Sequence, residues 1–173
     1  MLSSANFVTT YFTEEKIESL FFIIIGIISI SLAFIFWFII KYSFFKGLAF
    51  PLFLIGLNQL VVGATVYISS PKDIITIEQI IKEKPQKILS EELPRMETVM
   101  KRFTVYKVIE IALILTGIVL FILFYNSPQL FWKGLGLGLM IQSGLMLILD
   151  FIAEKRLENY IKHLTILIQN LNL

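Results

Sequence analysis

Two carboxylic acids stand in stretches that are otherwise hydrocarbon: Glu110 in "TVYKVIEIALILTG" and Asp150 at the end of "GLMIQSGLMLILD". Two acids held side by side can share a proton or bind a cation. Ionisable groups within a membrane are functional suspects by default. A plainer reading stands beside this one. Lys107, one turn before Glu110, can form a structural ion pair with it, and Asp150 can mark where an apolar run ends. Three amides, Asn58, Gln59 and Gln142, also lie deep in apolar sequence. Such amides generally hydrogen-bond between membrane helices, and a water-filled pathway would need more polar residues than these.

Glycines supply a second pattern. "KGLGLGLM" places Gly134, Gly136 and Gly138 two apart. A dinucleotide fingerprint needs G-x-G-x-x-G after a strand and at the mouth of a helix. The spacing here is wrong, and a phosphate would have to enter hydrocarbon. Gly134 and Gly138 fit the small-xxx-small pattern that lets membrane helices approach closely. Gly56 and Gly63, seven apart, share a helix face in the same way.

"RLENYIKH" sets Arg156 seven positions before His163, the one histidine of the chain. That spacing is similar to the arginine–histidine motif of HEPN-type ribonucleases. The similarity implies RNA cleavage by the two residues acting together, and seven positions along a helix do put them on one face. The alternative is an exposed histidine on a helix. The chain has no cysteine, hence no thiolate metal site or cysteine nucleophile. No Walker motif, metal cluster or nucleophile–base pair is present, so neither a cofactor nor catalysis is expected. The net charge of +2 gives no basis for nucleic-acid binding.

The elements that must position these residues follow from composition. Of 173 residues, 57% are hydrophobic and 16% charged, and the mean hydropathy is +0.81. A soluble chain of this size lacks the interior to hide so much apolar surface. Crossing a bilayer takes about 20 apolar residues, and four segments qualify: 19–40, 47–69, 105–125 and 130–152. The first is preceded by the acidic "TEEKIE" and is too long for a secretory leader, so a retained span is expected. Spans three and four are joined by the short "NSPQLFWK". In that antiparallel hairpin Glu110 and Asp150 come to the same height, about 24 Å from the turn at about 1.5 Å per residue.

The polar connection 70–104 predicts two helical pieces. Ser70 is read as the N-cap of the first, with Pro71 in its opening turn. Ile74, Ile77 and Ile81 give it an apolar face, and Pro85 ends it. Ser90 is read as the cap of the second, with Glu91 and Glu92 in its first turn. No breaker follows, so this helix runs unbroken from about 91 to 125. The fourth span likewise continues into the tail 153–173. There Leu157, Tyr160, Leu164, Leu167 and Leu171 recur at alternating steps of three and four, a coiled-coil spacing. These five are the candidate partner surface. Their first expected partner is the 72–104 segment of the same chain, followed by a second copy or another protein.

The prediction is therefore an all-α, polytopic membrane protein forming one domain, with lipid as its first partner. Its four transmembrane helices include a long third and fourth that extend into the cytoplasm. Twelve Lys/Arg fall on the side of the termini and the connection, against Lys41, Lys46 and Lys133 opposite. Basic loops stay in the cytoplasm, so both termini are expected there. The short turns, "EELPRMETVMKRF" on the third helix and "LMLILDFIAEKR" leading into the tail, resemble small bacterial four-span inner-membrane proteins in layout. That resemblance implies an inner-membrane location and carries no activity with it. Three functions remain: non-catalytic binding of a protein partner, as by an accessory subunit or a toxin-immunity protein; an oligomeric channel or proton-linked transporter using Glu110 and Asp150; and a membrane-anchored nuclease.

Overall fold

The computed structural model describes residues 2–171, with side chains from residue 6 onward. It is all-α. Helix α1 (Leu2–Phe34) runs on through a π-helical turn at Ile35–Ile40. Helix α2 (Ser43–Glu83) and helix α4 (Leu130–Asn170) have 41 residues each. Helix α3 (Leu93–Leu123) is preceded by a π-helical turn at Ile88–Glu92. All four are long and apolar enough to cross a membrane. At about 1.5 Å per residue, α2 and α4 reach about 61 Å, twice a bilayer's hydrocarbon thickness of about 30 Å. Each helix therefore has an apolar half and a charged half.

In the apolar half large side chains point outward. Ile28, Phe38, Leu54, Val61, Val108, Leu115, Ile122 and Ile148 are each 50–66% exposed. This belt far exceeds the few hundred Å² of apolar patch that soluble monomers tolerate. What holds the helices together there is close backbone approach. A Cβ on Gly134 would lie 1.8 Å from the Phe44 carbonyl oxygen, and one on Gly47 would lie 1.9 Å from that of Phe131. Gly138 meets Pro51 and Leu48, Gly56 meets Gly26 and Ser29, and Gly63 meets Ser19 and Phe22. Gly136, on the opposite face of α4 from Gly134, meets Gly117 of α3. The glycines serve helix contact, and Gly134–Gly138 lie inside a helix rather than in a loop.

In the charged half the four helices close around an ordinary hydrophobic core. It contains Val8, Tyr11 and Phe12 of α1, Ile77 of α2, Met96 of α3, and Leu157, Tyr160, Leu164, Leu167 and Ile168 of α4. Tyr11 and Tyr160 stack at 4.2 Å between centroids. Four of the five tail residues offered above as a partner surface are thus taken up within the chain. Leu171 stays 41% exposed, and residues 172–173 lie outside the described residues.

Three expectations for the connection need correction. Ser70 and Pro71 start no helix; α2 passes straight through them. Proline in a helix interior costs about 3 kcal/mol, since it removes one hydrogen bond and crowds a carbonyl. Here the hydroxyls of Ser69 and Ser70 both donate to the Val66 carbonyl, and Ser70 and Ile77 are buried, so tertiary packing outweighs that cost. Ser90 is not a cap either; its hydroxyl donates back to the Gln86 carbonyl. Glu92 is buried, accepting from Arg95 at 2.8 and 3.0 Å and from the Tyr160 hydroxyl at 3.0 Å. The turn between α2 and α3 is therefore only 84–87, and the supposed connection belongs to two long helices. The unbroken α3, the unbroken α4 and the short turn at 124–129 agree with expectation.

The helices form a row, α1 on α2, α2 on α4, α4 on α3, with α1 touching α4 lightly. Among the described residues, α1 and α3 make no close backbone approach. That gap is the site.

Candidate functional site

The gap holds a cavity of about 510 Å³ reached by side chains of all four helices. Its long wall is apolar, with Phe22, Leu54, Val62, Phe103 and Leu113 among its residues. Its end toward the charged half carries Glu15, Glu18, Glu110, Asp150 and Arg156, while Ser143 and Asn58 line the wall deeper in the apolar half, Ser143 about 10 Å along α4 from Asp150. A cavity of this size lies within the range of about 300–1,000 Å³ typical of small-molecule sites.

The antiparallel α3–α4 hairpin brings Glu110 and Asp150 together, as their equal distance from the turn requires. Both side chains line the cavity, and both residues are 5% exposed. Two carboxyls held side by side away from water share a proton more readily than both ionise, one donating and the other accepting. Lys107 does not pair with Glu110. It reaches across to Glu154 on α4 at 2.6 Å and lies 5.2 Å from the Phe151 ring. An i, i+3 partner on the same helix loses here to a carboxylate on the neighbouring one.

Sequence reasoning missed Glu18, whose carboxylate pairs with Arg156. The signal was available: Glu18 begins the first apolar run and Arg156 follows Asp150 by six residues, so both fall at one height. Arg156 also stands over the Tyr11 ring at 5.4 Å. Glu15, outside the apolar spans, accepts from Ser70 at 3.1 Å. Burial pushes its carboxyl above the usual range, with Arg156 opposing. Burial, with Glu92 alongside, likewise drives the Tyr160 phenol far above its ordinary value.

The amides divide. Gln142 donates to the Gln59 side-chain oxygen and to the Ser29 hydroxyl, both at 2.9 Å, tying α4 to α2 and α1 in the apolar half. Asn58 stays outside this cluster, exposed on the cavity wall. Arg156 and His163 both line a second, open groove of about 770 Å³ between α1 and α4. There the guanidinium is committed to Glu18, and the exposed imidazole stacks on Phe7 at 5.6 Å.

Most telling is what the cavity leaves unmatched. Oε1 of Glu18, Oε2 of Glu110, Oγ of Ser143 and Nε of Arg156 are buried without a hydrogen-bond partner among the described residues. Such atoms cost roughly 1–3 kcal/mol each, more when charged, and four of them converge on one cavity. Among the described residues no group of three or more His, Cys, Asp or Glu could hold a metal ion. No family model, curated protein or solved structure matches this chain.

Proposed function

We propose that this chain is a bacterial inner-membrane protein that crosses the bilayer four times with both termini in the cytoplasm. It acts by binding rather than by catalysis, in the cleft between α1 and α3. The exposed apolar belt supports lipid as the surrounding solvent, and the excess of Lys/Arg at the charged ends supports the orientation. The observation that carries the binding role is the convergence of buried, unmatched polar atoms on an apolar cleft. Less of the tail is left to dock a protein partner of the kind an accessory subunit or toxin-immunity protein would capture, because Leu157, Tyr160, Leu164 and Leu167 pack in the core, whereas Ile166 and Leu171 stay exposed. Support shifts from the tail to the cleft.

The test is photocrosslinking in cells. Benzoylphenylalanine placed at Val62, on the cleft wall, should yield one adduct of defined mass in the purified protein. The same group at Val119, on the outer face of α3, should yield only mixed phospholipid adducts. Identical mixtures from both positions would remove the cleft as a binding site. Topology is read separately in spheroplasts. A cysteine at Gln129 should react with a membrane-impermeant maleimide, and one at Lys84 should react only after lysis.

A second reading is favoured by the adjacent carboxyls of Glu110 and Asp150: proton-linked transport through the same cleft. In proteoliposomes, Glu110→Gln combined with Asp150→Asn should stop flux driven by a pH gradient. Unchanged flux, or no flux from the native protein, ends that reading.

A further inference from the structure

The cleft's two ends make opposite demands on an occupant. Along most of its length the wall is apolar, interrupted by Asn58 and Ser143, so a chain of methylenes fits. At the charged end the wall carries four carboxyls, Glu15, Glu18, Glu110 and Asp150, against one guanidinium, Arg156, already paired with Glu18. Even with one proton held between Glu110 and Asp150, that end is net negative. An anionic head such as a phosphate or a fatty carboxylate would face repulsion from it. The residues aimed inward are themselves built into the fold: Glu110 is 5%, Glu18 8% and Ser143 1% exposed. Of their unmatched atoms, Glu110 Oε2 and Glu18 Oε1 only accept hydrogen bonds when ionised, and Ser143 can also accept. Glu110 Oε2 and Glu18 Oε1 thus call for N–H donors, best supplied by a cation, while Arg156 Nε, itself a donor, calls for an acceptor.

We propose that the cleft binds a monocationic amphiphile, its alkyl chain lying between α1 and α3 and its ammonium head replacing the proton held between Glu110 and Asp150. This rests on the reading of the cleft as a binding site and names the chemistry of its ligand. The exchange balances simply. One carboxyl O–H bond breaks, its proton leaves to water at the charged end, and the ammonium's N–H groups donate to the two carboxylates that result. No other bond changes. The charged groups around the pair are Glu18 of α1, Lys107 of α3, and Glu154 and Arg156 of α4, with Glu15 of α1 beyond them. Lys107 and Glu154 neutralise one another at 2.6 Å, as do Arg156 and Glu18. The ammonium is thus left with Glu110 and Asp150 as its counter-ions. α2 brings no charge to the cavity, only Asn58.

The probe is radiolabelled dodecylamine, offered to the full chain in nanodiscs of neutral phosphatidylcholine, with protein-free nanodiscs subtracted. Binding should saturate at one amine per chain. Calorimetry in two buffers of different ionisation enthalpy should show about one proton released per amine, with affinity rising up to about tenfold per pH unit while the pair holds its proton. Dodecanol and dodecanoate should bind at least tenfold more weakly. Glu110→Gln with Asp150→Asn should lose both tight binding and proton release. Val62→Trp keeps the carboxyls but fills the apolar wall, and should lose binding too. That variant and the native proton count decide the matter should the double variant fail to fold. Equal binding of dodecanol or dodecanoate, or amine uptake without proton release, overturns the proposal. A defined adduct at Val62 with no amine binding would discard this ligand class and leave the cleft's binding role intact. Loss of the adduct would discard both. An adduct mass equal to a second copy of the chain would assign the cleft to self-association and overturn the amphiphile.

Discussion

The two halves of this bundle use the same four helices and hold them together differently. In the charged half, eleven buried residues including two tyrosines and a phenylalanine form one continuous core. In the apolar half the interfaces are mainly glycine against backbone, with one cluster of amide and hydroxyl hydrogen bonds and a small buried cluster of Ala33, Ala49 and Leu52. On the proposed reading, with the apolar half in lipid and the charged half in water, the solvent accounts for the contrast. Where water surrounds the helices, burying large apolar groups drives association. Where lipid surrounds them, a leucine gains nothing by turning inward, so close approach and polar contacts must serve.

Substitutions should therefore fail by different rules in the two halves. The largest effect is expected for Gly134→Leu. A Cβ alone would sit 1.8 Å from a backbone oxygen, so α2 and α4 must part, and the protein should lose its monodisperse peak in mild detergent. A normal elution profile would show that the backbone contact is dispensable. Next comes Leu164→Ala in the other half, where a fully buried side chain is removed. A loss of about 2–5 kcal/mol is expected from unfolding in detergent, and the equivalent truncation of lipid-facing Leu115 should cost under about 1 kcal/mol. Equal losses would erase the distinction between the halves.

Smaller still is Gln142→Leu, which removes two interhelical hydrogen bonds at about 0.6–2 kcal/mol each. Pairing it with Gln59→Leu should cost less than the sum of the single changes, because Gln59 is then no longer left with an unmatched acceptor. Strict additivity would deny the contact. The smallest concerns pH. Burial raises the Glu15 carboxyl, so its neutral form favours the fold at low pH, and that contribution is lost as pH rises through the folded value. Glu15→Gln should then raise the melting temperature by a few degrees at pH 8 and hardly at all near pH 4. An equal shift at both values would show that ionisation is not involved.

Much of the apolar half could be read from sequence, because its demands are local. A run such as 19–40 is uncharged whatever it packs against, and Gly134 and Gly138 share a face by periodicity alone. The pairing of Glu110 with Asp150 followed from counting residues on either side of a tight turn. The charged half was less legible. Ser70 and Pro71 carry the local signature of a helix start, which the packing of Ser70 against Glu15 and of Ile77 in the core overrides. Lys107 has an acceptable partner three residues away and takes a farther one. Residues 2–18 were passed over, although Val8, Tyr11, Phe12 and Glu15 already stand at helical intervals. The cleft itself depends on which helices are neighbours. No single stretch of sequence encodes that.

The continuity of α3 across both halves has a mechanical consequence. It rests on α4 along its length, and its backbone comes close to α2 only near the turn at 84–87, while Met96 shares the core with Ile77 of α2. Met96 lies 14 residues from Glu110, about 21 Å along the axis. A wedge that leaned α3 outward by about 5° at Glu110 would carry Met96 roughly 2 Å across the tyrosine stack, as a lever amplifies a small push at its fulcrum. Occupancy of the cleft would then be felt at the charged end of the rod, without any loop having to move.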